Sequence, residues 1–179
     1  MKKIIRIILL VCLLQYATAQ KVKDFLYVDP ATKSLPVFVR GHLDTKTIVL
    51  HVQGGDAENG IDFGRSDYPK WKNTLETKVA IAYFDQSGLN KSAKKIDPSK
   101  INTSQVSKDI IAIAKILKEK YNAEVHLMGH SHGGQNVLRC LAKFPEDIAF
   151  IKSEIILNTP ITTDFSLERY TEYPLPAPV

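Results

Sequence analysis

The feature that most constrains this chain is the segment Gly129-His130-Ser131-His132-Gly133-Gly134. It lies between a strand-like run, Glu124-Val125-His126-Leu127-Met128, and a helix-like run that continues to about residue 144. Glycines two positions before and two positions after a serine permit a sharp, crowded strand-to-helix turn that lifts the hydroxyl out of a sheet. The helix that starts there points backbone N–H groups toward whatever the hydroxyl attacks. Three fixed positions at roughly 7% usage each would occur by chance about 0.06 times in a chain this long. The strand before and the helix after therefore carry the reading of Ser131 as a nucleophile, against the plain alternative of a glycine-rich turn.

The rest of the sequence alternates strand and helix patterns, which predicts an α/β fold with a mostly parallel sheet. Strands are expected over 25–28, 35–39, 47–52, 78–84, 124–128 and 154–157. Asp29-Pro30 starts a turn between the first two, so they form an antiparallel hairpin. Thr47 to Val52 is a β-branched apolar run and predicts a buried strand. A polar stretch over 90–102 reads as a loop. Val106, Ile110, Ile113, Ala114 and Leu117 then recur on one face of a helix expected over 104–121. Asn102, Thr103 and Ser104 are its candidate N-caps. Pro145 ends the second helix.

Charge and cysteine content narrow the partners. The net charge is +5, but Lys2, Lys3 and Arg6 belong to a leader, and without them 21 basic residues face 19 acidic ones. No basic stripe interleaved with aromatics is present, so no nucleic-acid partner is predicted. The leader has a charged start, an apolar stretch and Ala17-Thr18-Ala19, which predicts a signal peptide over 1–19 and a secreted or periplasmic chain. Its apolar run is too short to span a bilayer comfortably, and no stable membrane span is expected after cleavage. Cys140 is then the one remaining cysteine; it cannot form an internal disulfide and reads as a small buried hydrophobe. His126, His130 and His132 lack a nearby carboxylate, so neither a metal nor a cofactor is predicted.

The turn at Ser131 and its flanks resemble the nucleophile elbow of the α/β-hydrolase superfamily. Phe144-Pro145-Glu146-Asp147 and Ile155-Ile156-Leu157-Asn158-Thr159-Pro160 are similar to that superfamily's helix end and sixth strand. Gln53-Gly54-Gly55-Asp56 resembles the His-Gly-Gly-Pro-Gly oxyanion loop of prolyl iminopeptidase-like members, with Gln53 and Asp56 in place of the His and Pro. The stretch 83–92 resembles their Tyr-Asp-Gln-Arg-Gly segment but lacks the Arg. The resemblance covers about 46–163. It implies a serine hydrolase that cleaves an ester or amide of a small molecule or peptide through an acyl-enzyme on Ser131. The oxyanion donors it implies are the backbone N–H groups of His132 and Gly55, and it gives Asp85 the task of holding its loop.

The same resemblance exposes a gap. The superfamily places the catalytic acid after the seventh strand and the histidine after the eighth. Here about six of eight strands are expected, and no histidine follows His132. Of the five histidines, His51 and His126 are in strands expected to be buried, His42 is at a strand end, and His130 and His132 are the variable positions of the elbow. Each reads as structural rather than as the base. Asp164 is a weak candidate for the acid. The expected organisation is a signal peptide (1–19), the N-terminal part of a hydrolase core (20–165), and a proline-rich tail or start of a lid (166–179) in a C-terminally truncated chain. Its sixth strand would be an unprotected edge. An inactive remnant or binding protein is the rival reading, and a second polypeptide supplying acid and base stays open.

Overall fold

The computed structural model describes residues 21–29, 34–55, 59–66, 70–87, 91–92 and 103–160. The expected leader, all but residues 91–92 of the polar loop expected over 90–102, Asp164 and the proline-rich tail lie outside the described residues. Six strands form one sheet: β1 (Lys21–Asp29), β2 (Ser34–His42), β3 (Thr47–Val52), β4 (Ala80–Phe84), β5 (Glu124–His130) and β6 (Ser153–Leu157). Their spatial order is β1-β2-β4-β3-β5-β6. β1 pairs antiparallel with β2, and β2 with β4; β4, β3, β5 and β6 run parallel. The helices are α1 (Gly60–Arg65), α2 (Thr103–Tyr121) and α3 (His132–Lys143), with 3-10 turns at Lys70–Asn73, Leu75–Thr77 and Glu146–Ile148. The α/β class, the strand count and the antiparallel hairpin match the reading of the sequence.

Alternation along the strands divides the side chains between two faces. Ile48, Leu50 and Val52 of β3 join Ala80, Ala82, Phe84, Val125 and Leu127 against α2 and α3, which supply Ile110, Ile113, Leu117, Val137 and Cys140. The opposite face packs Phe38, Ile81 and Tyr83 against Ile61 and Phe63 of α1 and against Trp71 and Leu75. Both faces of β3 and β4 are therefore covered, as a parallel sheet requires.

Differences from the expected boundaries have local causes. β1 begins at Lys21 and β2 runs on to His42 because the pair is a long edge ladder from Lys21↔His42 to Asp29↔Ser34. Lysines on an edge strand stay solvated and do not interrupt its pairing. β4 starts at Ala80 because Lys78 and Val79 both donate their N–H to the Leu75 carbonyl and so close a 3-10 turn. The six-residue α1 has no apolar period to announce it; the Asn59 side chain caps it by accepting from the Asp62 N–H at 2.9 Å. α3 stops at Lys143, and Phe144 leaves the helical region at φ −135°, ψ 47°, as a residue before proline does. His126 is only half-buried, contrary to expectation. It lies near the β6 edge, and its Nδ1 is 2.8 Å from Ser153 Oγ.

Candidate active site

β5 and α3 meet at Ser131, and the meeting is abrupt. Ser131 is the N-cap of α3 with φ 53° and ψ −123°. These are the dihedrals of the first central residue of a type II′ turn, where glycine is customary. A serine held there costs on the order of 1–3 kcal/mol, and the surroundings must over-determine it. The flanking glycines show how. A Cβ on Gly129 would stand 2.5 Å from the Gly134 Cα, and one on Gly133 would collide with the carbonyl oxygens of Val52 and Gln53. The spacing Gly-x-Ser-x-Gly is thus a packing requirement, because the first turn of α3 is pressed against both β5 and the end of β3.

The loop after β3 reaches the same point. A Cβ on Gly54 would lie 2.7 Å from the His130 carbonyl oxygen and 3.0 Å from the Ser131 Cβ. The next residue, Gly55, is exposed and has φ 74°. The structure therefore brings Ser131, His132 and the Gly54-Gly55 loop together. His132 is the first residue of α3, a position whose backbone N–H has no acceptor within the helix.

None of the five histidines hydrogen-bonds the Ser131 hydroxyl. His42 Nδ1 lies 3.5 Å from the Asp44 carboxylate. His126 is bound to Ser153. His130 is exposed at the end of β5. His132 Nε2 is 3.4 Å from Arg139 Nη1, two turns further along α3. His51 is 3% exposed and stacks on Phe63 at 5.2 Å, with Trp71 and Tyr83 edge-on at 5.2 and 5.8 Å. Its Nδ1 is buried and has no hydrogen-bond partner among the described residues. Burial, and secondarily the nearby His130, pushes this imidazole down to about 4, so it is neutral at pH 7. Among the described residues no group of three or more His, Cys, Asp or Glu is arranged to hold a metal, and no helix is long and apolar enough to cross a membrane.

Sequence reasoning missed the buried polar framework around the site. Glu76, 2% exposed, binds Arg40 through Nε at 2.5 Å and Nη2 at 2.8 Å, and accepts from the Tyr83 hydroxyl at 2.8 Å. The carboxylate raises the Arg40 pKa, and burial together with Glu76 drives the Tyr83 phenol upward. This clamp fixes the Leu75–Thr77 turn on the sheet, and Tyr83 in turn walls in His51. Nothing in the spacing of Arg40, Glu76 and Tyr83 announces it. Asp85 holds its loop: its carboxylate accepts the Ile61 N–H at 3.1 Å and the Lys91 N–H at 3.3 Å, while burial raises its pKa.

No family model matches the sequence, and no curated protein is similar to it. Solved structures of the same shape exist. A proline iminopeptidase-related protein from Thermus thermophilus superposes with a TM-score of 0.54 at 18% identity, over 80% of this chain and 46% of its own. An α/β serine hydrolase without a lid from Xanthomonas campestris gives 0.56 at 19% identity, over 82% and 65% respectively. A haloalkane dehalogenase from Paraglaciecola agarilytica gives 0.54 at 18%, over 79% and 44%. The chain thus spans about half to two thirds of the length of these structures. With its strand order, antiparallel N-terminal pair and strand-turn-helix at Ser131, the chain has the α/β-hydrolase fold.

Proposed function

We propose that the chain is the nucleophile-bearing part of a secreted or periplasmic serine hydrolase acting on an ester or amide bond. The observation that carries this reading is the conformation of Ser131, a non-glycine residue at φ 53° on a strand-to-helix turn built from Gly129 and Gly133. In the proposed reaction Ser131 Oγ attacks the substrate carbonyl, and its proton passes to a base. The carbonyl oxygen gathers negative charge between the backbone N–H groups of His132 and Gly55, each donor worth about 3–4 kcal/mol of transition-state stabilisation. The leaving group takes the proton as the acyl-enzyme forms, and water then releases the acid. The substrate class is a small ester or a peptide, including a peptide with N-terminal proline.

A second reading rests on its own observation: among the described residues the Ser131 hydroxyl has no imidazole partner, and a serine is a weak nucleophile without one. The chain would then be an inactive remnant or binding protein, or would receive its acid and base from a second polypeptide. Labelling with a fluorophosphonate, read by intact mass beside Ser131→Ala, separates these. One adduct on the natural chain and none on the variant is the result expected of an activated serine. Folded protein that takes up no probe would defeat that reading for the chain acting alone.

A further inference from the structure

The elbow is held from one side by the hook that follows β6. The Ser131 N–H donates to the Leu157 carbonyl at 2.9 Å. Asn158 then takes φ 47°, a left-handed conformation that asparagine tolerates, and turns the chain back over the elbow. This places the Thr159 hydroxyl 3.0 Å from the Ser131 carbonyl oxygen and 3.3 Å from that of Leu157. A hydroxyl has a single hydrogen, and the shorter contact is to Ser131. The Ser131 carbonyl also accepts the Gly134 N–H at 3.0 Å, so both of its lone pairs are engaged. The fit is close: a Cβ on Gly134 would overlap Thr159 Oγ1.

The Ser131 carbonyl and the His132 N–H are two ends of one planar peptide. Fixing the carbonyl end fixes the direction of the N–H at the other end. Hydrogen bonds accepted by the carbonyl also polarise the amide and strengthen its N–H as a donor. We infer that Thr159 is a positioning residue, whose hydroxyl locks the Ser131–His132 peptide plane and thereby aims the His132 N–H at the reacting oxygen. This rests on the reading of His132 as an oxyanion donor. It adds a role for the residues after β6, which otherwise only end a strand.

The test compares the full isotope-labelled chain with Thr159→Val, Thr159→Ala and Thr159→Ser. Thr159→Ala removes the hydroxyl without placing a methyl group against Gly134, should valine not fit. The Ser131 carbonyl carbon and His132 amide nitrogen shifts read the peptide directly and need no activity. Both are expected to move in the valine and alanine variants and to return in the serine variant. Unmoved signals in the variants without the hydroxyl, or a serine variant that behaves like valine, would overturn the inference. Where the natural chain takes up fluorophosphonate, the valine variant should label about tenfold more slowly, the worth of one hydrogen bond, and the serine variant should recover most of the rate. A natural chain that does not label defeats the hydrolase reading for the chain acting alone and leaves the nuclear magnetic resonance comparison to decide the role of Thr159.

Discussion

His51 should make the stability of this protein fall with acid in a way that can be calculated. The ring is 3% exposed, enclosed by Phe63, Trp71 and Tyr83, and has a buried Nδ1 without a hydrogen-bond partner among the described residues. Burial brings its pKa to about 4 from an ordinary 6.5. The unfolded chain therefore binds a proton at a pH where the folded chain refuses it, and stability must decline as pH falls. The contribution is fully present above pH 6.5, falls through the window between the two values, and is lost below 4. Linkage gives a loss on the order of 1 kcal/mol at pH 5.5 and on the order of 2–3 kcal/mol at pH 4.5. Other titrating groups act on the same curve, so the measurement is a difference. Urea unfolding of the natural chain and of His51→Phe is compared from about pH 7.5 to about pH 4.5, which brackets that window. Phenylalanine keeps an aromatic ring in the box and cannot titrate. The gap between the two proteins should shift by about 2–3 kcal/mol in favour of phenylalanine, or roughly 1 M in urea midpoint. A gap constant within about 0.5 kcal/mol across that range would refute the claim that burial starves this ring of its proton.

Other consequences can be checked on the same material. Glu76→Leu leaves the Arg40 guanidinium and the Tyr83 hydroxyl without the acceptor they share. It should cost about 3–5 kcal/mol in urea unfolding, whereas Tyr83→Phe, which leaves the ion pair whole, should cost about 1.5–3 kcal/mol; equal losses would contradict the ranking. Cys140 is fully buried, and burial pushes its thiol up to about 11. Alkylation at about pH 8, read at Cys140 by peptide mass, should therefore be negligible in the folded chain and complete in urea.

What the sequence disclosed follows its periodicity. The apolar run at Thr47–Val52 and the helical face of α2 each repeat a pattern long enough to be read, and both elements formed where expected. Gly129 and Gly133 were legible because close approach leaves only glycine, and Ser131 sits where their spacing placed it. The short α1 and the 3-10 turns were not, because their order comes from tertiary bonds: Asp85 to Ile61 spans 24 residues and Glu76 to Arg40 spans 36. His51 was expected to be buried, and it is. What enclosed it was invisible, because Phe63 and Trp71 come from elements with no periodic signature.

The described part of the sheet is covered unevenly. A row of paired residues crosses one face, from Phe38 through Tyr83, His51 and Met128 to Ile155. It is covered as far as Met128, at 4% exposure, and then opens at Ile155, at 39%, beside Leu157 at 38%. Among the described residues β6 pairs on one side only. An apolar edge strand with a free ladder is a template for another strand. Ser131 lies between β5 and this same edge, anchored to Leu157 and Thr159. Any group that docks along β6 would therefore arrive beside Ser131, whose hydroxyl has no imidazole partner among the described residues. On the proposed reading of Ser131 as the nucleophile, a segment docked there should raise stability and reactivity together, because the exposed Ile155 and Leu157 adjoin that serine.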